Sequence, residues 1–134
     1  MLQNDQTPQS MTALRNRAIE LGKLLEDHRG VEVVVMDMRN LNFWTDFFVI
    51  ATVTSSTHSK GLEKHIKEFV RENDMEILYR SRRPKDNAEQ GSDEWNLLDL
   101  GGLVIHLMTE RTRSFFELER LWSAAPLIYQ GDRA

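Results

Sequence analysis

Two apolar runs meeting at Gly101-Gly102 constrain this chain more than any other feature of it. Glycine reaches the positive φ angles that tight two-residue turns demand, so residues 95–100 and 103–108 are predicted to close a β-hairpin. A two-residue loop sets the register: Leu100 opposes Leu103, Leu98 opposes Ile105 and Asn96 opposes Leu107, all on one side of the ribbon. That side is nearly all aliphatic and is expected to be buried. The other side carries Trp95, Leu97, Asp99, Val104, His106 and Met108, an unusual mixture of aromatic, aliphatic, acidic and imidazole groups. Each has an ordinary explanation when taken singly, since a Trp at a strand start or a strand His is commonly a satisfied core residue. Grouped on one face, they suggest a recognition surface. An odd-length loop would exchange the two faces.

Length allows one domain with a real core: 134 residues, of which 40% are hydrophobic and 28% charged. The chain has no cysteine, which excludes a disulfide scaffold, thiolate metal sites and cysteine nucleophiles. No apolar run approaches the length of a membrane span, and the start Met1-Leu2-Gln3-Asn4-Asp5-Gln6 has the look of neither a signal nor a transit peptide. A bacterial-type cytosol is the expected compartment. The net charge of −4 argues against nucleic-acid binding as the main task, because phosphate neutralisation requires clustered basic side chains.

Residues 1–9 are expected to form a flexible leader, residues 10–125 a single domain and residues 126–134 a short tail. Met11, Leu14, Ala18, Leu21 and Leu25 recur at helical spacing from an N-cap at Ser10 to a stop at Gly30. Residues 31–36 read as a central strand, residues 43–54 as a second long strand, and the two together as the spine of the sheet. Ser55 or its neighbours cap a second helix running to about Asn73, whose face of Leu62, Ile66, Phe69 and Val70 opposes Lys60, Lys64, Lys67 and Arg71. Glu63, Glu68 and Glu72 lie among those cations, so a solvated, salt-bridged surface is expected there. Residues 75–79 read as a short third strand. The polar segment 80–94 reads as a long disordered loop. After the hairpin, Thr109 caps a third helix with a stripe of Phe115, Leu118, Leu121 and Trp122, ended by Pro126. The fold class is thus α/β, a mixed five-stranded sheet flanked by three helices.

The chemistry-bearing inventory is thin. The glycines form neither a phosphate-cradling loop nor a dinucleotide fingerprint. No two of His28, His58, His65 and His106 stand at a metal-ligand spacing with a nearby carboxylate, and capping accounts for Ser55-Ser56 beside His58. Asp37, Asp46 and Asp99 each stand at a strand end, and Asp37-Met38-Arg39 does not form a paired-acid motif. No catalytic residue, metal site or cofactor is expected. A binding module fits better than an enzyme.

Four stretches, taken in order, resemble a known family: residues 46–52 with Thr54-Ser55-Ser56, residues 95–101, His106, and residues 113–122. Together they are similar to the ribosomal silencing factor family, also called the Iojap family, over about residues 11–125. The resemblance implies a non-enzymatic repressor of translation with a nucleotidyltransferase-like topology lacking that superfamily's catalytic acids. It implies binding to large-subunit ribosomal protein fourteen on the intersubunit face, which blocks joining of the small subunit, with ribosomal RNA contact at most peripheral. Trp95, Leu97 and Asp99 match the family's tryptophan strand, His106 its strand histidine, and Arg113, Phe115, Phe116 and Glu119 its final helix. With Met108, these are the residues expected to contact the partner or shape its dock. Val53, Gly102 and Phe116 depart from the family pattern of glycine, an acid and tyrosine, and the 80–94 loop is long for it. Two other readings stay open: a Mg²⁺-dependent nucleotidyltransferase-like enzyme using Asp37, Asp46 or Asp99, and a homodimeric module pairing through the hairpin face.

Overall fold

The hairpin is present in the expected register, with Asn96 opposite Leu107 and Leu98 opposite Ile105. Leu100 N–H donates to the Leu103 carbonyl across the turn, and Gly101 takes φ of 99°, which a side chain would strain. The computed structural model describes residues 8–41, 45–81, 94–121 and 123–132. In chain order these form α1 (Pro8–Asp27), β1 (Val31–Asp37), β2 (Phe47–Val53), α2 (Ser56–Glu72), β3 (Tyr79–Ser81), β4 (Trp95–Asp99), β5 (Leu103–Thr109), α3 (Glu110–Phe116), α4 (Leu118–Leu121) and β6 (Leu127–Gln130).

The six strands form one sheet in the order β3-β4-β5-β2-β1-β6. β2 and β5 pair in parallel and every other neighbour is antiparallel, so the sheet is mixed, as expected. The strand count is six rather than five. The segment after Pro126, expected to be a tail, pairs with β1 through Val34↔Gln130 and Val35↔Tyr129. A four-residue strand that finds its partner about ninety residues earlier leaves only a weak local trace.

Alternation along the strands divides the interior into two cores. Val33, Val35, Phe47, Val49, Leu98, Leu103, Ile105 and Leu107 face α1 and α2, which contribute Ala18, Leu21, Leu25, Leu62, Ile66 and Val70. Each fully buried aliphatic here contributes about 1.5–3 kcal/mol relative to exposure. On the opposite sheet face Val34, Met36, Phe48, Ile50, Val104 and Met108 pack with Met38, Leu118 and Ala125. The spine expectation holds, since β1 and β2 lie inside the sheet and every β2 residue is buried.

Helix ends follow their local chemistry. α1 begins at Pro8, whose missing N–H is harmless in a first turn, so Ser10 is inside the helix and is not its cap. Residues 1–7 of the expected leader lie outside the described residues. At the other end Arg29 takes φ of 73°, Arg29 N–H donates to Glu26 O and Gly30 N–H to Leu25 O, a Schellman closure. Gly30 is required because a Cβ there would meet Leu25 O at 2.7 Å. Ser55 caps α2 by accepting from His58 N–H, and Asn73 closes it. Residues 75–78 do not pair as a strand. Asp74, at φ of 55°, turns the chain, Met75 N–H returns to Val70 O, and Met75 and Ile77 pack into the core before β3 starts. Residues 42–44, at the expected start of the second strand, and residues 82–93 of the expected loop lie outside the described residues.

Candidate functional site

The expected third helix is broken, and the break builds the site. Thr109 caps α3 by accepting from Thr112 N–H, but Glu117 adopts a left-handed conformation (φ 48°, ψ 55°) and ends the helix at Phe116. Leu118 then turns inward at 3% exposure, whereas Phe115 and Phe116 stand out at 79% and 44%. The expected apolar stripe is therefore split: Leu118 is core and Phe115 is surface. Trp122 lies outside the described residues.

Phe115 and Phe116 meet edge to face at a centroid distance of 4.9 Å, and Phe116 lies 4.9 Å from Trp95 on β4. These three rings, with Leu97, Glu94, Arg111 and Thr112, line a groove of about 620 Å³ between β4 and α3. Its polar rim is organised by Glu94, whose carboxylate accepts from the hydroxyls of Thr109 and Thr112 at 3.3 and 3.0 Å. Thr109 N–H also donates to Glu94 O, tying the start of β4 to the N-terminus of α3. Arg111 approaches Glu94 at 3.6 Å but is largely exposed, so that ion pair adds little stability. Apolar walls with a few convergent polar groups are the usual build of a recognition site.

Behind Trp95 the site continues into the core. The indole N–H of Trp95 donates to Nδ1 of His106 at 3.2 Å, and His106 lies edge-on to Phe48 at 4.5 Å. His106 is 4% exposed, and among the described residues its Nε2 has no hydrogen-bond partner. Burial pushes its pKa down to about 4, so the imidazole is neutral near pH 7 and Nδ1 is free to accept the indole proton. His106 thereby fixes the orientation of Trp95.

The hairpin face expected to be one recognition surface is thus layered. Trp95 and Leu97 are half-buried and line the groove, while Val104, His106 and Met108 are buried beneath and support it. Asp99 is turned to a local task at the far end of β4, where its carboxylate accepts from Gly101 N–H at 2.8 Å. Arg113 is 7% exposed and donates to the Thr52 hydroxyl at 3.0 Å, anchoring α3 to β2. Glu119 belongs to α4, and its side chain lies outside the described residues. Glu94, Arg111 and Thr112 line the groove without having been expected to. The capping position of Thr109, three residues before Thr112, was the available signal for one of them.

The departures from the family pattern have local causes. A Cβ at Gly102 would lie 2.5 Å from Leu14 Cδ2 and 3.0 Å from an Asp46 carboxylate oxygen, so an acidic side chain has no room there. Val53 is buried in the helix-side core. Phe116 packs on Trp95 with its ring and needs no hydroxyl to do so.

The three aspartates of the enzyme reading do not form one cluster: Asp46 lies near enough to feel the charges of Asp37 and Arg39, while Asp99 is held in the hairpin turn by Gly101 N–H. Asp37 is held by both Nε and Nη2 of Arg39, which lowers its pKa, whereas burial raises that of Asp46. Among the described residues no three His, Cys, Asp or Glu side chains are grouped so as to hold a metal ion.

Fold and groove together define a small mixed-sheet α/β domain with an aromatic docking-type concavity beside its last helices. A family model described as ribosomal silencing factor during starvation matches residues 11–134, and the chain belongs to that family. It is 30% identical over 104 residues to the ribosomal silencing factor of Bacillus subtilis, covering 76% of this chain and 80% of that one. It is 32% identical over 113 residues to a mitochondrial Iojap-related protein of Arabidopsis thaliana, covering 78% of this chain and 55% of the relative. A crystal structure of a Chromobacterium violaceum protein superposes with a TM-score of 0.66 at 25% identity, over 92% of this chain and 88% of the other. Membership makes this a protein of ribosome silencing and translation regulation.

Proposed function

We propose that this protein binds the large ribosomal subunit through its ribosomal protein fourteen and, by occupying the intersubunit face, prevents the small subunit from joining. The observation that carries the reading is the groove of Trp95, Leu97, Phe115 and Phe116 in a chain of this family, with two aromatic side chains left in water by the break at Glu117. Adjacent exposed aromatics on a small domain mark an interaction site. Trp95 and Phe116 supply the anchor that a partner desolvates, and Glu94 at the rim offers charge to basic side chains of a ribosomal protein. Inhibition then needs no chemistry, because a bound domain excludes the small subunit by volume.

The protein acts as a regulator rather than an enzyme. In this reading the fold is a nucleotidyltransferase-like arrangement without its paired acids: Met38 and Arg39 follow Asp37, and Arg39 occupies its carboxylate. Its place of action is the cytoplasm, where subunits join. Among the described residues no helix is long and apolar enough to cross a membrane.

Replacing both Phe115 and Phe116 by serine tests the reading, since both side chains are exposed and the domain should still fold. Isolated ribosomal protein fourteen should retain the parent protein and lose the double variant; equal retention of the two would remove the groove from the interface. The same exposed aromatics suit pairing with a second copy when the protein is free. Light scattering that shows a dimer dissolved by the double variant supports that second contact.

A further inference from the structure

Lys60, Lys64, Lys67 and Arg71 follow one another along α2 at intervals of four, three and four residues. At 3.6 residues per turn they fall within an arc of about 60°, and at 1.5 Å per residue they form a ridge about 16 Å long. All four are exposed. The interleaved glutamates suggest a self-neutralised face, but the structure assigns those acids elsewhere. Glu63 is 2% exposed and bound to Arg80 of β3, and Glu68 faces His65 at 3.6 Å. Glu72 lies about 110° round the helix from the centre of the ridge. Among the described residues, none of the four cations takes part in an ion pair. In a chain of net charge −4, four cations are thus gathered on one helix face.

The position of the ridge matters as much as its charge. α2 buries Leu62, Ile66 and Val70 against one face of the sheet, whereas the groove opens on the other through Trp95 and Leu97. A partner seated in the groove therefore leaves the ridge uncovered.

We propose that this ridge is a second contact surface that binds the phosphate backbone of RNA, and that on the large subunit it takes ribosomal RNA. A line of flexible point charges suits phosphates, and with no aromatic residue at any ridge position it has no platform on which to stack a base. It therefore adds affinity without reading sequence. The identity of the RNA as ribosomal rests on the docking reading above; the phosphate chemistry does not.

The test compares the parent protein with the variant Lys60→Gln, Lys64→Gln, Lys67→Gln, Arg71→Gln, and with a control losing the same charge at Arg17, Lys23, Arg29 and Arg120. Three probes are titrated over a range of salt: isolated ribosomal protein fourteen, purified large subunits, and a fluorescent RNA duplex of mixed sequence. The ridge variant should hold isolated protein fourteen normally, bind large subunits roughly tenfold more weakly at low salt, and show a log–log salt slope shallower by about two to four. The control should change much less. A ridge variant with the parent's subunit affinity and salt slope overturns the proposal while leaving the docking reading intact. If the parent fails to bind protein fourteen, the docking reading falls, and the RNA duplex alone decides the ridge: no difference between parent and ridge variant overturns it. Binding of the parent to phosphatidylglycerol vesicles as strongly as to RNA also overturns it, in favour of a membrane surface.

Discussion

At the scale of single residues, the contact that organises the site is the Trp95 indole donating to His106 Nδ1. Trp95 offers the groove a large ring held in one orientation, so Trp95→Ala should weaken large-subunit binding by about 2 kcal/mol or more. Sedimentation of a folded variant with large subunits checks this; unchanged co-sedimentation would contradict it. His106 carries a second expectation. Its pKa falls from 6.5 to about 4 on folding because burial penalises the charged ring. The unfolded chain thus holds more protons between pH 6.5 and 4, and stability should fall as pH drops through that window, by about 3 kcal/mol in all. Asp37, lowered chiefly by its hydrogen bond from Arg39, adds a loss in the same direction below the ordinary carboxylate range, while Asp46, raised by burial, opposes it. Urea titrations at several pH values should show the slope, and His106→Gln should flatten it between pH 6.5 and 4.

Among the elements, α1 sits close against β1 and β6 because Gly22 lets it. A Cβ at Gly22 would lie 2.7 Å from Val35 Cγ2 and 3.1 Å from Tyr129 Cδ2. Gly22→Ala should therefore lower stability by about 1–3 kcal/mol despite alanine's better helix propensity, as thermal unfolding would show. Gly22 and Tyr129 meet only because the chain end returns as β6, and that return was the least legible part of the fold. The hairpin was legible because a Gly-Gly loop and the parity of strands specify register locally, and the α2 cap because Ser55 acts on the next turn. β6 and the break at Glu117 were not. The first depends on pairing with a distant strand, and the second places a glutamate where glycine would ordinarily signal a left-handed turn. The site shows the same division. Trp95 and Leu97 could be placed on one face from spacing, but the burial of His106 and Met108 depends on Met38, Leu118 and Ala125 packing over the second sheet face. Exposure of Phe115 and Phe116 likewise came from the helix break, which no periodicity announced.

For the whole molecule, the two sheet faces are covered differently. One is sealed by α1 and α2, and α2 turns its basic ridge outward; the other supports the aromatic groove between β4 and α3. An acidic domain approaching a surface rich in RNA gains from a protein dock at the groove and from cations gathered on one ridge. The central claim is that docking alone, without chemistry, stops the subunits from joining. The direct measurement mixes purified large subunits with saturating protein, adds small subunits, and reads the joined fraction on a sucrose gradient. The joined fraction should collapse with the parent protein and recover with Trp95→Ala at the same concentration. Unimpaired joining in the presence of the saturating parent protein would contradict the account.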